Sequence, residues 1–150
     1  MGTHYQGTRD EVRALDAYIK LMRASGSVTS RLSPHLASAG LTASQFGALE
    51  ALFHLGSMCQ RDLGDKLLTS RGNVTMVVDN LEKRGLVMRR RGGEDRRFVT
   101  VHLTEKGRRL ISEMLPGHVA AIVEDMSTLT EREQEELDRL CRKLGRKEKR

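Results

Sequence analysis

The side chains with chemical potential gather in the middle of this 150-residue chain. Between Lys83 and Arg109 stand Lys83, Arg84, Arg89, Arg90, Arg91, Arg96, Arg97, Lys106, Arg108 and Arg109, opposed only by Glu94, Asp95 and Glu105. Cations at that density suit the repeating phosphates of a nucleic acid, and a solvated basic face is the competing reading. Just upstream, Ser70, Arg71, Gly72, Asn73, Thr75 and Met76 offer a different chemistry. Arginine pairs in a bidentate fashion with guanine edges, asparagine with adenine, and threonine or methionine with the thymine methyl. Gly72 lets a backbone approach phosphate closely. The bland alternative for Asn73 and Thr75 is that they cap or solvate their own helix. Further on, Arg89, Arg90, Arg91, Arg96 and Arg97 surround Gly92-Gly93, and arginine suits a narrow minor groove with its strongly negative potential. Asp95 reads as holding one of these guanidinium groups in a fixed direction, with an ordinary turn aspartate as the alternative. Asp79 reads as structural, because a carboxylate repels phosphate.

Other chemistries find little support. Cys59 and Cys141 lie too far apart for a disulfide framework or metal-ligand spacing. They read as free thiols, or, at Cys59, as a redox switch that would need a lowered thiol pKa. His4, His35, His54, His102 and His118 are scattered. No phosphate-binding glycine loop, no paired His-x-x-x-His and no nucleophile with an assigned base is present. Cys59 with Asp62 is too thin a ligand set for zinc. The expectation is a protein that is not an enzyme and holds no metal or cofactor. The net charge of +6 and a pI near 9.7 fit a polyanionic partner. With 38% hydrophobic and 31% charged residues, the composition fits a soluble, helix-rich single domain over 1–150. No apolar run approaches the ~20 residues that span a bilayer. Met1 to Arg9 has no apolar stretch of the kind a signal peptide needs. No membrane partner and a cytoplasmic location are expected.

The elements that must position these residues follow from periodicity. Thr8-Arg-Asp-Glu11 has the form of a capping box. Val12, Leu15, Ile19, Met22, Val28, Leu32 and Leu36 then recur at roughly helical spacing, with Pro34 expected to bend or interrupt the helix and Gly40 to end it. Thr42 or Ser44 can cap a second helix to about His54, with Phe46, Leu49, Leu52 and Phe53 apolar and Gly56 ending it. A short helix follows from about Gln60 to Leu67. Thr69 and Ser70 offer a cap for the next, which runs to about Arg84 with Val74, Val77, Val78 and Leu81 inward and Gly85 as terminator. Leu86 to Arg91 reads as a strand, Gly92 to Asp95 as a turn, and Phe98 to Leu103 as a returning strand. Thr104 caps a long helix that Pro116-Gly117 should kink. Thr130-Glu-Arg-Glu133 is a second capping box and opens a last helix with Leu137, Leu140 and Leu144.

Two short helices and a hairpin make a winged helix-turn-helix, whose second helix can enter the major groove of double-stranded DNA. The fold class expected is mainly α with a small β-hairpin wing. The residues that carry this pattern also carry a resemblance. Asp62-Leu-Gly-Asp-Lys-Leu-Leu, Gly72 through Val87, Glu94-Asp-Arg-Arg97 and Val101-His-Leu-Thr-Glu-Lys-Gly107 together resemble the MarR family of bacterial regulators. The most specific part is Asp-x-Arg followed by a strand and Leu-Thr-x-x-Gly, here Asp95, Arg97, Leu103, Thr104 and Gly107. The resemblance implies a homodimer, with dimerisation helices at about 9–39 and 104–147 and a DNA-binding lobe at about 42–103. It implies that Arg97 enters the minor groove steadied by Asp95, while Arg96 stands at a variable position. Most members of the family repress their own or a neighbouring operon on a pseudo-palindrome, and many release DNA on binding a small aromatic or phenolic effector. That pocket would lie near His35, Leu36, Phe46, Leu49 and Phe53, which otherwise read as plain core. A peroxide-sensing branch uses a cysteine near the start of the first helix, whereas this chain has none before residue 59.

Overall fold

A computed structural model describes residues 2–67, 71–92 and 98–146. Its elements run α1 (Arg9–Ala37), α2 (Ala43–Leu55), β1 (Met58–Cys59), α3 (Gln60–Leu67), α4 (Arg71–Lys83), β2 (Val87–Arg91), β3 (Val99–Leu103), α5 (Glu105–Met126) and α6 (Glu131–Gly145). Three helices begin at reciprocal caps. The Glu11 carboxylate accepts the Thr8 N–H at 2.7 Å while the Thr8 hydroxyl accepts the Glu11 N–H. Thr42 with Gln45 and Thr130 with Glu133 repeat the arrangement at α2 and α6. Each box satisfies two N–H groups that a helix start leaves unpaired. Thr42, rather than Ser44, is therefore the cap of α2. The expected cap at Thr69 or Ser70 lies outside the described residues.

Two expectations are corrected. Pro34 does not interrupt α1, which continues through it to Ala37, as α5 continues through Pro116. A proline removes one i→i−4 bond, and Ser30 and Ser112, whose carbonyls lose that bond, are both exposed. Water replaces it. In α1 the proline also lies in the last turn, where little helix remains to be disturbed. The second correction is the sheet, which has a third strand. Met58 and Cys59 pair antiparallel with Val101 and Thr100, giving the order β1-β3-β2. The expected hairpin is present, with Val87 opposite Leu103 and Arg91 opposite Val99. A two-residue strand is too short to show alternation in sequence.

The core lies between α2, α3, α4, the sheet and the first half of α5. Leu49, Leu52, Leu63, Val78, Leu81, Leu86, Val101 and Ile111 are almost wholly buried there. Each contributes roughly 1.5–3 kcal/mol by leaving water. α3 and α4 approach closely at Gly64, where a Cβ would stand 2.8 Å from Val74 Cγ2. The outer helices bury far less. Of α1 only Leu36 is buried, and of α6 no residue is.

The Leu103-Thr104-x-x-Gly107 stretch docks α5 on the turn between α4 and β2. The Thr104 hydroxyl donates to the Gly85 carbonyl at 2.6 Å and accepts the Gly107 N–H at 3.0 Å. The Thr104 N–H donates to the Leu86 carbonyl at 3.1 Å. Gly85 makes the turn with φ +71°, in the left-handed region. Gly107 is required for a different reason, because a Cβ there would overlap the Leu86 carbonyl oxygen. The obstacle is backbone and cannot rotate away. Gly107→Ala is therefore expected to cost at least about 2 kcal/mol, read as a lower denaturant midpoint. Unchanged stability would show that the turn can shift without loss.

Candidate nucleic-acid interface

The outward face of α4 is defined by what its inner face buries. Val74, Val77, Val78 and Leu81 all lie in the core. Helical geometry then turns Asn73, Thr75 and Met76 outward, and all three are exposed, Met76 by 61%. Arg71 and Gly72 form the first turn of α4, and Ser70 lies outside the described residues. Thr75 is held from behind, since the Gln60 side-chain amide donates to its hydroxyl at 3.0 Å. The first turn of α3 thereby touches the exposed face of α4.

The wing arginines divide into separate groups. Arg90 and Arg91 are exposed on β2. Asp95, Arg96 and Arg97, the aspartate and arginines expected at the tip, lie outside the described residues. Arg89 departs from the expectation of a DNA-facing wing arginine. Its side chain is only 22% exposed and forms ion pairs with Asp79 at 2.6 Å and Glu82 at 3.2 Å. It also donates to Gln60 Oε1 at 3.1 Å and to the Thr75 carbonyl at 3.3 Å. The reason is strand parity. Arg89 shares a face of β2 with buried Val87 and so points at α4. Asp79, read from sequence as structural, is one of its partners.

Two more cations of the basic cluster are engaged in the framework. Arg84 donates to the carbonyls of Gly40 and Ala39, each at 2.9 Å. Lys106 donates to the Arg84 carbonyl at 2.9 Å. The end of α4 is thus tied to the α1–α2 connection and to α5.

The residues expected near an effector sit at this same junction. Leu36, Phe46 and Leu49 are buried in the core, while His35 and Phe53 are half-buried. The Arg108 guanidinium lies over the Phe53 ring, 5.9 Å from its centre. Sequence reasoning missed His118. It is only 9% exposed, and its ring centre lies 4.4 Å from that of Phe46 and 5.8 Å from that of His35. His35 Nε2 and His118 Nδ1 are buried without a hydrogen-bond partner. The signal was available, because His118 continues the inward Ile111, Leu115 spacing of α5. Gly117 leaves room for His35, since a Cβ there would come 3.1 Å from His35 Cε1. Burial lowers the pKa of His118, His35 lowers it further, and Glu50 opposes the shift.

The two thiols are free, with Cys59 half-buried at the end of β1 and Cys141 exposed. The Asp62 N–H points at Cys59 Sγ, 3.4 Å away. Among the described residues no group of three His, Cys, Asp or Glu side chains could hold a metal ion. Nor is any helix among them long and apolar enough to cross a membrane.

A helix pair with an exposed second helix, followed by a basic antiparallel wing, defines a winged helix-turn-helix protein. The model of the MarR family matches residues 41–99. The HTH-type transcriptional regulator MhqR of Bacillus subtilis (strain 168) is 35% identical over 133 residues, which cover 89% of this chain and 92% of that protein. The structure of Bordetella bronchiseptica BpsR, whose DNA binding is regulated by 6-hydroxynicotinic acid, is 28% identical with a TM-score of 0.80, over 86% of this chain and 98% of that one. Sco3205, a MarR family regulator of Streptomyces coelicolor solved in complex with DNA, shares the fold with a TM-score of 0.83 at 23% identity, over 95% of this chain and 90% of that one. The chain belongs to the MarR family of transcriptional regulators.

The buried histidine gives stability a sign with pH. Unfolded, His118 titrates near the ordinary value of about 6.5, whereas folded it titrates lower. Between the two values the unfolded chain holds the extra proton, so stability falls as pH drops through about 6.5. Denaturant midpoints on lowering the pH should decline for the native protein and decline less for His118→Phe. An equal slope in the variant would place the dependence on other groups.

Proposed function

We propose that the chain is a homodimeric repressor that binds a pseudo-palindromic operator and releases it when a small aromatic or phenolic ligand binds. The observation that carries this reading is the uncovered apolar face of the outer helices. α6 is amphipathic, yet Leu137, Leu140 and Leu144 are all exposed, as are Tyr18 and Met22 of α1 and Val119 and Val123 of α5. A second copy is the natural cover for an apolar surface of this extent. The dimerisation segments are then about 9–39 and 104–147, and the DNA-binding lobe is about 42–103. Two-fold symmetry would present two copies of α4 to successive major grooves, which is why the operator is read as a palindrome. In each half-site Asn73, Thr75 and Met76 face the groove with Ser70, Arg71 and Gly72. Arg90 and Arg91 supply charge beside it, and Arg97, steadied by Asp95, reaches the minor groove with Arg96 nearby.

Support for an effector comes from position. His35, Phe46 and Phe53 lie where the outer helices meet the DNA-binding lobe, and BpsR, a relative in fold and sequence, responds to an aromatic acid. A ligand releases DNA only if it binds more tightly to the conformation that fits DNA poorly. A ligand that separates α5 from α2 at this junction meets that condition.

Selection of duplexes from a random-sequence library tests the reading. One palindrome should be preferred over bulk DNA by about a thousandfold or more, and a phenol or hydroxylated aromatic acid should lower that affinity. Enrichment of no common sequence would falsify the proposal in favour of a sequence-tolerant architectural role. Arg97→Ala is expected to weaken binding by roughly ten- to a hundredfold with the dimer intact by sedimentation. Unchanged affinity would remove the wing tip from the account. Leu137→Asp combined with Leu140→Asp is expected to shift the protein to monomers, and persistence of the dimer would move the interface elsewhere.

A further inference from the structure

Arg89 carries more than an ordinary strand arginine. Its guanidinium has five N–H donors in a rigid fork. Nε serves Gln60 of α3, Nη1 serves Glu82 of α4, and Nη2 serves both the Thr75 carbonyl and Asp79 of α4. Its backbone N–H donates to the second Glu82 oxygen at 2.9 Å. The group thus ties its own strand to two helices, and it binds α4 both on its exposed turn at Thr75 and nearer its end at Glu82. One arginine against two carboxylates also leaves this spot net negative. The cluster as a whole therefore offers phosphate no net attraction, and little of the Arg89 fork is left to contact one.

We propose that Arg89 is a positioning residue for DNA recognition, whose guanidinium fixes the angle between α4 and the wing through Gln60, Thr75, Asp79 and Glu82. Recognition by a helix in the major groove and a wing in the minor groove requires both to arrive together. The wing continues from Arg89 through Arg91 to Gly92, a lever of about 10 Å at strand rise. A tilt of some ten degrees at Arg89 would move its end by nearly 2 Å on that lever, enough to lose a groove contact. Gln60 completes the device, because its amide oxygen accepts from Arg89 while its nitrogen donates to the Thr75 hydroxyl. Wing position and the side chain of a groove-facing residue are therefore set by one hydrogen-bonded unit. The inference rests on the winged-helix reading of α4 and the wing.

The test compares Arg89→Met and Arg89→Lys in the full-length protein on a duplex selected by the wild type. In Arg89→Met, hydroxyl-radical protection of the minor groove under the wing should be lost and affinity should fall about tenfold or more. Methylation protection of the major groove at saturating protein should remain. Arg89→Lys should recover only part, because an ammonium neutralises without forking. A double variant that adds Asp79→Asn alone restores the wild-type net charge of this spot without the tether and should remain defective. Recovery in the double variant would reduce Arg89 to charge compensation. An intact footprint with a salt slope lowered by about one would make it a phosphate contact. Parallel loss of both protections together with melting temperature would make it a stability residue only. A second measurement needs no DNA. Spin labels at Met76→Cys and Arg91→Cys, in a Cys59→Ser, Cys141→Ser background diluted with unlabelled subunits, should give a broader distance distribution in Arg89→Met. An unchanged distribution overturns the proposal even where no operator can be selected, whereas failure to select an operator leaves this distance untouched.

Discussion

The turn at Arg84-Gly85-Leu86 is the constraint on which the rest of the molecule depends. A helix ends with carbonyls that have no partner within it. Here Asn80, Leu81 and Glu82 give theirs to the N–H groups of Arg84, Leu86 and Gly85, and the carbonyls of those three turn residues are in turn taken by Lys106, the Thr104 hydroxyl and the Thr104 N–H. Gly107 lets the two backbones come close enough for this. From the same turn the Arg84 side chain reaches back to the carbonyls of Ala39 and Gly40. Both cations also sit favourably at the negative end of α4. α4 cannot move independently of the long outer helices, because their ends are fastened to its own. Under the ligand response proposed above, this turn is where a change in the outer helices would be passed to α4.

Charge in this molecule is spent on two different tasks. The net value of +6 and the density of cations near the wing point to a polyanion, yet several of those cations are committed inside the protein. Arg84, Arg89 and Lys106 each bind backbone carbonyls or carboxylates. Arg90 and Arg91 remain exposed on the strand. Counting basic residues therefore overstates the electrostatic grip and understates how firmly the α4–wing unit is built.

Much of this was legible in the chain. Capping boxes at Thr8 and Thr130 and glycines at 56 and 85 mark element ends, because the backbone chemistry of a helix terminus admits few residues. The inward stripe of α4 followed from its valines. What escaped had physical reasons. Met58–Cys59 is too short a strand to show a period. Pro34 does not interrupt its helix because it sits in the last turn, where the freed Ser30 carbonyl is open to solvent. Arg89 looks identical to Arg90 by type, and only the shared face with Val87 separates them. The spacing of α5 turned His118 inward, but what it would meet there, Phe46 and His35, depends on how α5 packs on α1 and α2 and is not a local property of the chain.

β2 has a further property as the outer strand of its sheet. An outer strand presents unpaired backbone groups that can recruit a strand from another molecule. In β2 the Arg89 N–H is already taken by the Glu82 carboxylate, and Arg90 and Arg91 place like charges along the same rim. A second wing approaching edge to edge would meet an occupied donor and two repelling cations. The residues beside the exposed face of α4 thereby also disfavour pairing through the sheet edge, so one short strand carries both the contacts to α4 and the protection of its own rim.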